Sequence, residues 1–389
     1  MRTKTNRLYY DDAYLSFFES SVCEKRLENG KIFIALVESA FYPTSGGQPF
    51  DTGVIYNRGN ILRVSGVEVD EDGVVWHEVD KDIELGTPVC CAIDFERRFD
   101  HMQQHSGEHI LAGCVYSMFS GTTIGLHLGR DDSTIDIDMP DGRTRISDME
   151  KNELEEMANR RIQENAPVKC FFPSEEELKY LPLRKKPSVE KNVRVVQAGD
   201  FEMVPCGGTH VKNTGELGII KIISIHPAKD KMRICFVVGA RAIKYVQACH
   251  ESLTRSANSL SCGLYDLPFG IESLKAELQN EKLKNKQLLD KLSIEYYKGL
   301  CASKKSVCEK SIISAALDLD MRGLVKLAGE IIKEENSCAI LQSSEDFSFV
   351  AACSFDEDLN ELIGGLAKGG GKAGFIQGKA DRLITDEIE

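Results

Sequence analysis

No run in this chain approaches the roughly 18 uncharged apolar residues of a membrane-spanning helix, and the opening MRTKTNRLYYDDAY has no apolar signal core. Secretion and membrane insertion are thereby excluded from expectation, and the cytoplasm is the expected compartment. No C-x-x-C pair occurs among the 13 cysteines, an odd and scattered set. That argues against a disulfide framework and suits a reducing compartment, with most of the thiols acting as small buried apolar groups. An excess of positive charge is missing as well. Against 61 acidic residues stand 48 Lys and Arg, a net charge of −13, which does not fit a protein that coats nucleic acid broadly. Local basic clusters remain, at Arg97 with Arg98 and at Arg184 with Lys185 and Lys186. No fixed-period repeat is visible.

What is present organises itself into stretches. With 389 residues, two or three cores are expected rather than one. Residues 1–88 alternate strand-like runs (KIFIALVES, GVIYN, ILRVSGVEV, GVVWHEV) with Gly, Asn and Asp turns, the pattern of a small β-barrel that GTPV at 86–89 would end. A helical pattern covers 95–119, with Ile110, Leu111, Cys114, Val115 and Met118 on one apolar face. Strand candidates STIDID, VRVVQ, GIIKIISI and MRICFVVG follow, together with a polar helix from Ser147 to about Asn165. Ser147 is its expected N-cap. These make an α+β domain over 89–240. Residues 241–300 give two helical patterns broken by CGLYDLPFG, expected as an antiparallel hairpin that serves as a spacer or dimerisation arm, or packs on its own domain. Residues 301–389 return to apolar runs around the helix LVKLAGEIIKEE, expected as a small α/β domain.

Two short motifs carry chemistry. In HSGEH, His105 and His109 stand four apart on a helix, so both rings can face one ion, and His101 extends the row. In CGGTH, Cys206 and His210 stand four apart across two glycines, a spacing that fits a chelating turn. Together the pairs supply three nitrogens and one sulfur, a full tetrahedral set for one Zn²⁺ per chain. HSGEH also fits the H-x-x-E-H pattern of inverted zinc proteases. That reading needs a downstream glutamate ligand, which no feature selects, and it leaves CGGTH without a role. Glu108 acts on a zinc-bound water or is a solvated helix charge.

The motifs together resemble alanyl-tRNA editing proteins of the AlaX type, long form, free-standing relatives of the editing domain of alanyl-tRNA synthetase. FYPTSGGQPFDTG (41–53) resembles the family's barrel signature, and HSGEH and CGGTH resemble its two zinc half-sites. MRICFVVGARAIKYV is similar to the segment that follows the editing domain. GGLAKGGGKAGFIQG (364–378) is similar to the glycine-rich motif of the synthetase's C-terminal domain, shared with DHH-type phosphodiesterases. The resemblance implies zinc on His105, His109, Cys206 and His210, and hydrolysis of the ester joining serine or glycine to tRNA(Ala). An aminoacyl ester is already activated, so a zinc ion that orients it and polarises water or carbonyl suffices. Four protein ligands are, however, the usual mark of a closed structural zinc.

Further expectations concern other positions. His127 flanks the metal and touches substrate, or is a partly buried strand histidine. Where Glu108 stands the family often has a hydroxyl residue. Thr44, Gly46, Gly47 and Gln48 close over the adenosine end or form a tight β-turn. Arg97 and Arg98 meet phosphates or are merely solvated. Lys368, Gly369, Gly370, Gly371 and Lys372 let the backbone approach a phosphate, in a stretch whose Lys368, Lys372, Lys379 and Arg382 outweigh Asp381. The resemblance begins at the synthetase's barrel, so aminoacylation is not expected. A homodimer through the hairpin or the C-terminal domain is a further expectation. The alternatives to a trans-editing hydrolase are a non-catalytic, zinc-stabilised tRNA-binding protein and, more remotely, the protease.

Overall fold

In the computed structural model, described for residues 4–187, 189, 191–302, 305–307, 309–363 and 366–385, the N-terminal strands close into a six-stranded barrel. Around the barrel run Phe17–Glu28, Lys31–Leu36, Val75–Val79, Asn60–Val69, Gly53–Asn57 and Pro88–Ile93. Period-2 alternation puts Val22, Ile34, Leu36, Ile55, Leu62, Val64, Val75 and Cys91 inside, all buried. Closure depends on Pro88–Ile93, which pairs with Phe17–Glu28 on one side and Gly53–Asn57 on the other. The barrel therefore runs past the boundary expected at 88, because without that strand both neighbours would be open edges.

Helix α1, Phe95–Phe119, follows directly. Asp94 caps it, accepting from the Arg97 N–H, and Ser120 ends it in the left-handed conformation at φ 54°. The helix is buried on nearly every side from His101 to Val115, so it is a central element and not a surface amphipath. Its apolar residues Ile110, Leu111, Cys114 and Val115 pack with Ile135, Ile137, Leu154, Ile222, Ile234 and Phe236. Gln104 uses its amide as an extra strand partner, donating to Val238 O at 3.0 Å and accepting from Val238 N at 3.0 Å.

Two antiparallel sheets surround α1. One orders Ile220–Ala228, Lys231–Val238, Ser133–Asp138 and Thr122–Leu128; the other orders Val168–Phe171, Val195–Ala198 and Glu202–Pro205. Helix α2, Asp148–Gln163, opens with a full capping box between Ser147 and Glu150. Barrel, α1 and both sheets fall in one compact unit, Met1–Ser252. One reason is the Arg98 side chain, discussed below.

The second unit, Leu253–Glu389, contains the 35-residue helix Leu267–Cys301 and a six-stranded sheet. In that sheet Lys310–Leu317 and Ser337–Ser343 run parallel, connected by the helix Met321–Ile331. Leu324, Leu327 and Ile331 of that helix cover one face with Ile313, Leu341 and Val350, and Ile340, Phe349, Ala351 and Ile376 form the core on the other. The chain is thus a mixed α+β protein. Gly364 and Gly365, which open the glycine-rich stretch, lie outside the described residues.

Candidate metal centre

His105 and His109 leave α1 one turn apart, and Cys206 and His210 come from the loop after Glu202–Pro205. One ligand atom from each of the four lies within 4.8 Å of all the others. Cys206 Sγ stands 3.3 Å from His105 Nε2 and 3.3 Å from His210 Nε2. Ligand atoms around a tetrahedral zinc, at ordinary Zn–N and Zn–S lengths, sit roughly 3.3–3.6 Å apart. The two pairs that Cys206 makes are already at that spacing.

The imidazoles are prepared as lone-pair donors. Gln48, fully buried, places its amide against His105 and Thr209. The Thr209 backbone N–H, which can only donate, meets Gln48 Oε1 at 3.1 Å, and the amide nitrogen donates to Thr209 Oγ1 at 2.8 Å. That fixes which end of the amide is oxygen. His105 Nδ1, 2.8 Å from the same Oε1, must then carry the proton, leaving Nε2 free to ligate. Ser106 Oγ performs a related service, lying 3.1 Å from His210 Nδ1 while accepting from Val211 N at 3.2 Å. Both ring nitrogens of His109 are buried with no hydrogen-bond partner; Nδ1 is 3.2 Å from a Glu108 carboxylate oxygen but out of line for a hydrogen bond. An orphaned buried imidazole of this kind calls for an electrophile.

Electrostatics point the same way. Burial drives the His105 imidazole down to about 3 and holds His109 and His210 well below their ordinary value, so all three are neutral ligands. Burial also pushes the Cys206 thiol up to about 12. A thiolate there therefore requires a cation. Arg194 braces the loop from behind, donating to Cys206 O at 3.1 Å and Gly208 O at 2.8 Å. Gly208 is needed for close approach and not for backbone freedom: a Cβ would fall 2.2 Å from His105 Cε1.

Three of the four donors, His105, His109 and Cys206, line a cavity of about 1130 Å³. Six cationic side chains line it (Lys4, Arg7, Arg184, Lys185, Lys191 and Arg194) against two acidic ones, Asp11 and Glu108. On a chain of net charge −13, this cavity is a local positive field. Glu108 is buried, and loss of water raises its carboxyl to about 7, with Arg184 pulling the other way. Arg184 itself is bound to Glu202 through Nε at 2.9 Å.

Several expected site residues lie elsewhere. Arg98 is fully buried; it pairs with Asp51 and donates to Ala13 O at 2.8 Å and Ala40 O at 2.6 Å. It clamps α1 to the barrel and cannot reach a phosphate. Arg97 donates to Phe50 O at 3.1 Å and lines a different cavity. His127 is exposed on Thr122–Leu128 and does not line the donor cavity, although Thr123, Ile124, Gly125 and Leu126 do. Thr44 is exposed beside a separate groove of the barrel. Gly46 (φ 60°) and Gly47 (φ 85°) make the tight turn that Ser45 and Gln48 close through mutual backbone hydrogen bonds; Gly46 reaches the cavity wall. Lys368–Lys372 is not a loop but an exposed edge strand paired with Phe375–Lys379. Gly369 and Gly371 serve that pairing, since a Cβ would fall 2.9 Å from Gln377 O at the first and 2.0 Å from Phe375 O at the second. His101 is buried near the second cavity, outside the donor group.

Among the described residues the cluster draws in no glutamate ligand of the kind the protease pattern requires. No helix among them is long and apolar enough to cross a membrane.

Comparison with known proteins places these features in a family. A model described as "tRNA synthetases class II (A)" matches residues 2–97, and one described as "Threonyl and Alanyl tRNA synthetase second additional domain" matches 193–234, which includes CGGTH. The chain is 30% identical to the alanyl-tRNA editing protein AlaX-L of Pyrococcus horikoshii, over 96% of this chain and 94% of that protein. It is 30% identical to the alanine–tRNA ligase of Archaeoglobus fulgidus over 98% of its length, and 32% identical to that of Pyrococcus abyssi over 97%. It spans only 43% and 42% of those two ligases.

Proposed function

The chain belongs to the alanyl-tRNA editing protein family, and from that premise we propose that it hydrolyses the ester linking a wrong amino acid, chiefly serine, to tRNA(Ala), at a zinc ion held by His105, His109, Cys206 and His210. The observation that carries the reading is the convergence of four donor atoms within 4.8 Å at the floor of a cationic cavity. Bound there, zinc would supply Lewis acidity toward the ester and its attacking water. The chain's own residues do the rest. Gln48 and Ser106 hold the two imidazoles in ligating orientation. Arg194 keeps the Cys206–His210 loop in place and offsets a thiolate's charge. The cationic walls favour the phosphates of an RNA end over a neutral peptide. Glu108, buried on the cavity wall beside His109, offers a polar partner for a serine hydroxyl, which alanine lacks. A site built around such a partner can discriminate strongly.

The test is release of serine from Ser-tRNA(Ala) beside Ala-tRNA(Ala), with the Cys206→Ala variant in parallel. The wild-type protein should bind about one zinc per chain, release serine and largely spare the alanyl ester. Cys206→Ala should lose metal and activity together. A closed set of four protein ligands is the observation favouring a second reading, a zinc-stabilised tRNA-binding protein. Zinc and tRNA both bound, with no serine released, would establish that reading instead.

A further inference from the structure

Beside the Cys206–His210 loop, the same cavity carries two aromatic side chains, Tyr10 and Phe172, which no motif in the sequence marks. Their ring centroids lie 5.8 Å apart at an interplanar angle of 78°, an edge-to-face pair. Tyr10 is further held by Tyr9 at 4.7 Å and by the guanidinium of Arg194, 5.3 Å from its ring centroid. Arg7 stands over the same ring at 6.0 Å. Phe172 follows the strand Val168–Phe171 and remains 52% exposed. A single exposed phenylalanine is ordinary. One braced by an aromatic partner that two guanidinium groups hold in turn, and set on the wall of the cavity that holds the donors, is a stacking platform.

We infer that Tyr10 and Phe172 form a nucleobase-stacking subsite, taking the purine of the 3′-terminal adenosine whose ribose carries the ester. The inference rests on the editing reading above and assigns where the RNA end is gripped. It also moves that grip from the Thr44–Gln48 turn, whose Gln48 amide is wholly engaged by His105 and Thr209, to the Tyr10–Phe172 pair. Arg7 and Lys185, both lining the cavity, are available to the phosphate on the 5′ side of the stacked adenosine and to the next one along the strand. Stacking suits this task because every tRNA ends in the same base. The subsite needs affinity there and no hydrogen-bond code.

The experiment uses the full-length, zinc-loaded protein and two acceptor-stem RNA hairpins ending in CCA. In both, serine is joined through a 3′-amide that cannot be hydrolysed. One hairpin keeps its terminal adenine and the other has an abasic terminal ribose. Phe172→Ala should weaken binding of the complete hairpin about tenfold, within the range for loss of one stacked base. It should leave the abasic hairpin's affinity unchanged, and Phe172→Trp should restore the complete hairpin's affinity. Zinc content and melting temperature should match the wild type in both variants. If Phe172→Ala weakens both hairpins equally, or neither, the stacking subsite is wrong while the editing reading stands. If the wild-type protein binds neither hairpin, the editing reading fails and takes this inference with it.

Discussion

Gln48 spends its amide on His105 and Thr209, and in doing so it determines which nitrogen of His105 holds the proton, through three hydrogen bonds of 2.8–3.1 Å. Removing a buried partner of this kind typically costs ten- to a hundredfold in metal affinity. Gln48→Leu should therefore lower zinc affinity by about that factor, read by competition with a chromophoric chelator. Gln48→Glu keeps an acceptor for both His105 and Thr209 and should stay within a few-fold of wild type. An unchanged affinity in the leucine variant would reduce Gln48 to packing. Arg98 gives a prediction of the opposite kind, one of fold and not of chemistry. Arg98→Ala would leave Asp51 buried and without its cation. Denaturant unfolding should show a loss of about 3–5 kcal/mol, whereas a phosphate contact would show almost none. The four donors were legible because chelating pairs announce themselves at short spacing. Their supports were not. Gln48 lies 57 residues from His105, and Ser106 lies 104 from His210, so only the fold joins them. Arg98 misled for a related reason: a cation in a basic pair carries no mark in the sequence of the carboxylate waiting for it inside the barrel.

Helices α1 and α2 could be read to within a residue or two because their caps are local chemistry. Asp94 and Ser147 each accept from the N–H three residues on. Ser147→Ala should cost about 1 kcal/mol, measured by thermal unfolding near neutral pH. The same box has a pH signature. Glu150 is held near 2, below its ordinary 4.5, first by the Ser147 backbone N–H and then by Arg143 and the Ser147 hydroxyl. Its folded value is depressed, so its stabilising contribution is complete above about 4.5 and fades as pH falls from there through 2. The difference between wild type and Glu150→Gln should shrink across that acid window and not at alkaline pH. Elements whose ends depend on distant pairing were harder to place. The barrel's last strand, Pro88–Ile93, reads as the tail of a turn until both of its partners are known. The glycine run at 369–371 carries no strand pattern in the sequence; only its pairing with Phe375–Lys379 shows why Gly369 and Gly371 have no room for side chains. On the helix Leu267–Cys301, Leu274, Leu278, Leu288 and Leu292 are 42–60% exposed at heptad-compatible spacings. They are the surface on which the expected homodimer can be tested. If they mediate it, Leu278→Glu with Leu288→Glu should convert a dimeric mass to a monomeric one in light scattering, with zinc content unchanged.

At the scale of the whole chain, charge is distributed against its average. The net is −13, yet the donor cavity of the first unit is cationic, and the second unit presents Lys368 and Lys372 on a fully exposed edge strand. Two physical readings compete for those lysines. Edge strands are commonly protected from pairing with other chains by lysine, in which case the stretch has nothing to do with RNA. Alternatively, with Lys379 beside them on the next strand, they hold phosphates, and a glycine backbone lets those phosphates come close. The structure divides after Ser252, within the stretch 241–300 that the sequence marks as two helical patterns. What each unit does with its charge was not visible, since clusters form in space and not along the chain. A chain ending at Ser261 separates the readings. All four donors and their supports lie between Gln48 and Val211, within the unit Met1–Ser252, so zinc content should be unchanged and serine release from saturating Ser-tRNA(Ala) should persist. If the edge strand binds RNA, affinity for tRNA should fall. The slope of log affinity against log salt should also drop by roughly one for each phosphate contact removed. If the lysines only guard the edge, both quantities should match the full chain. Lys368→Glu with Lys372→Glu in the intact protein should then lower solubility or raise self-association without altering the salt slope.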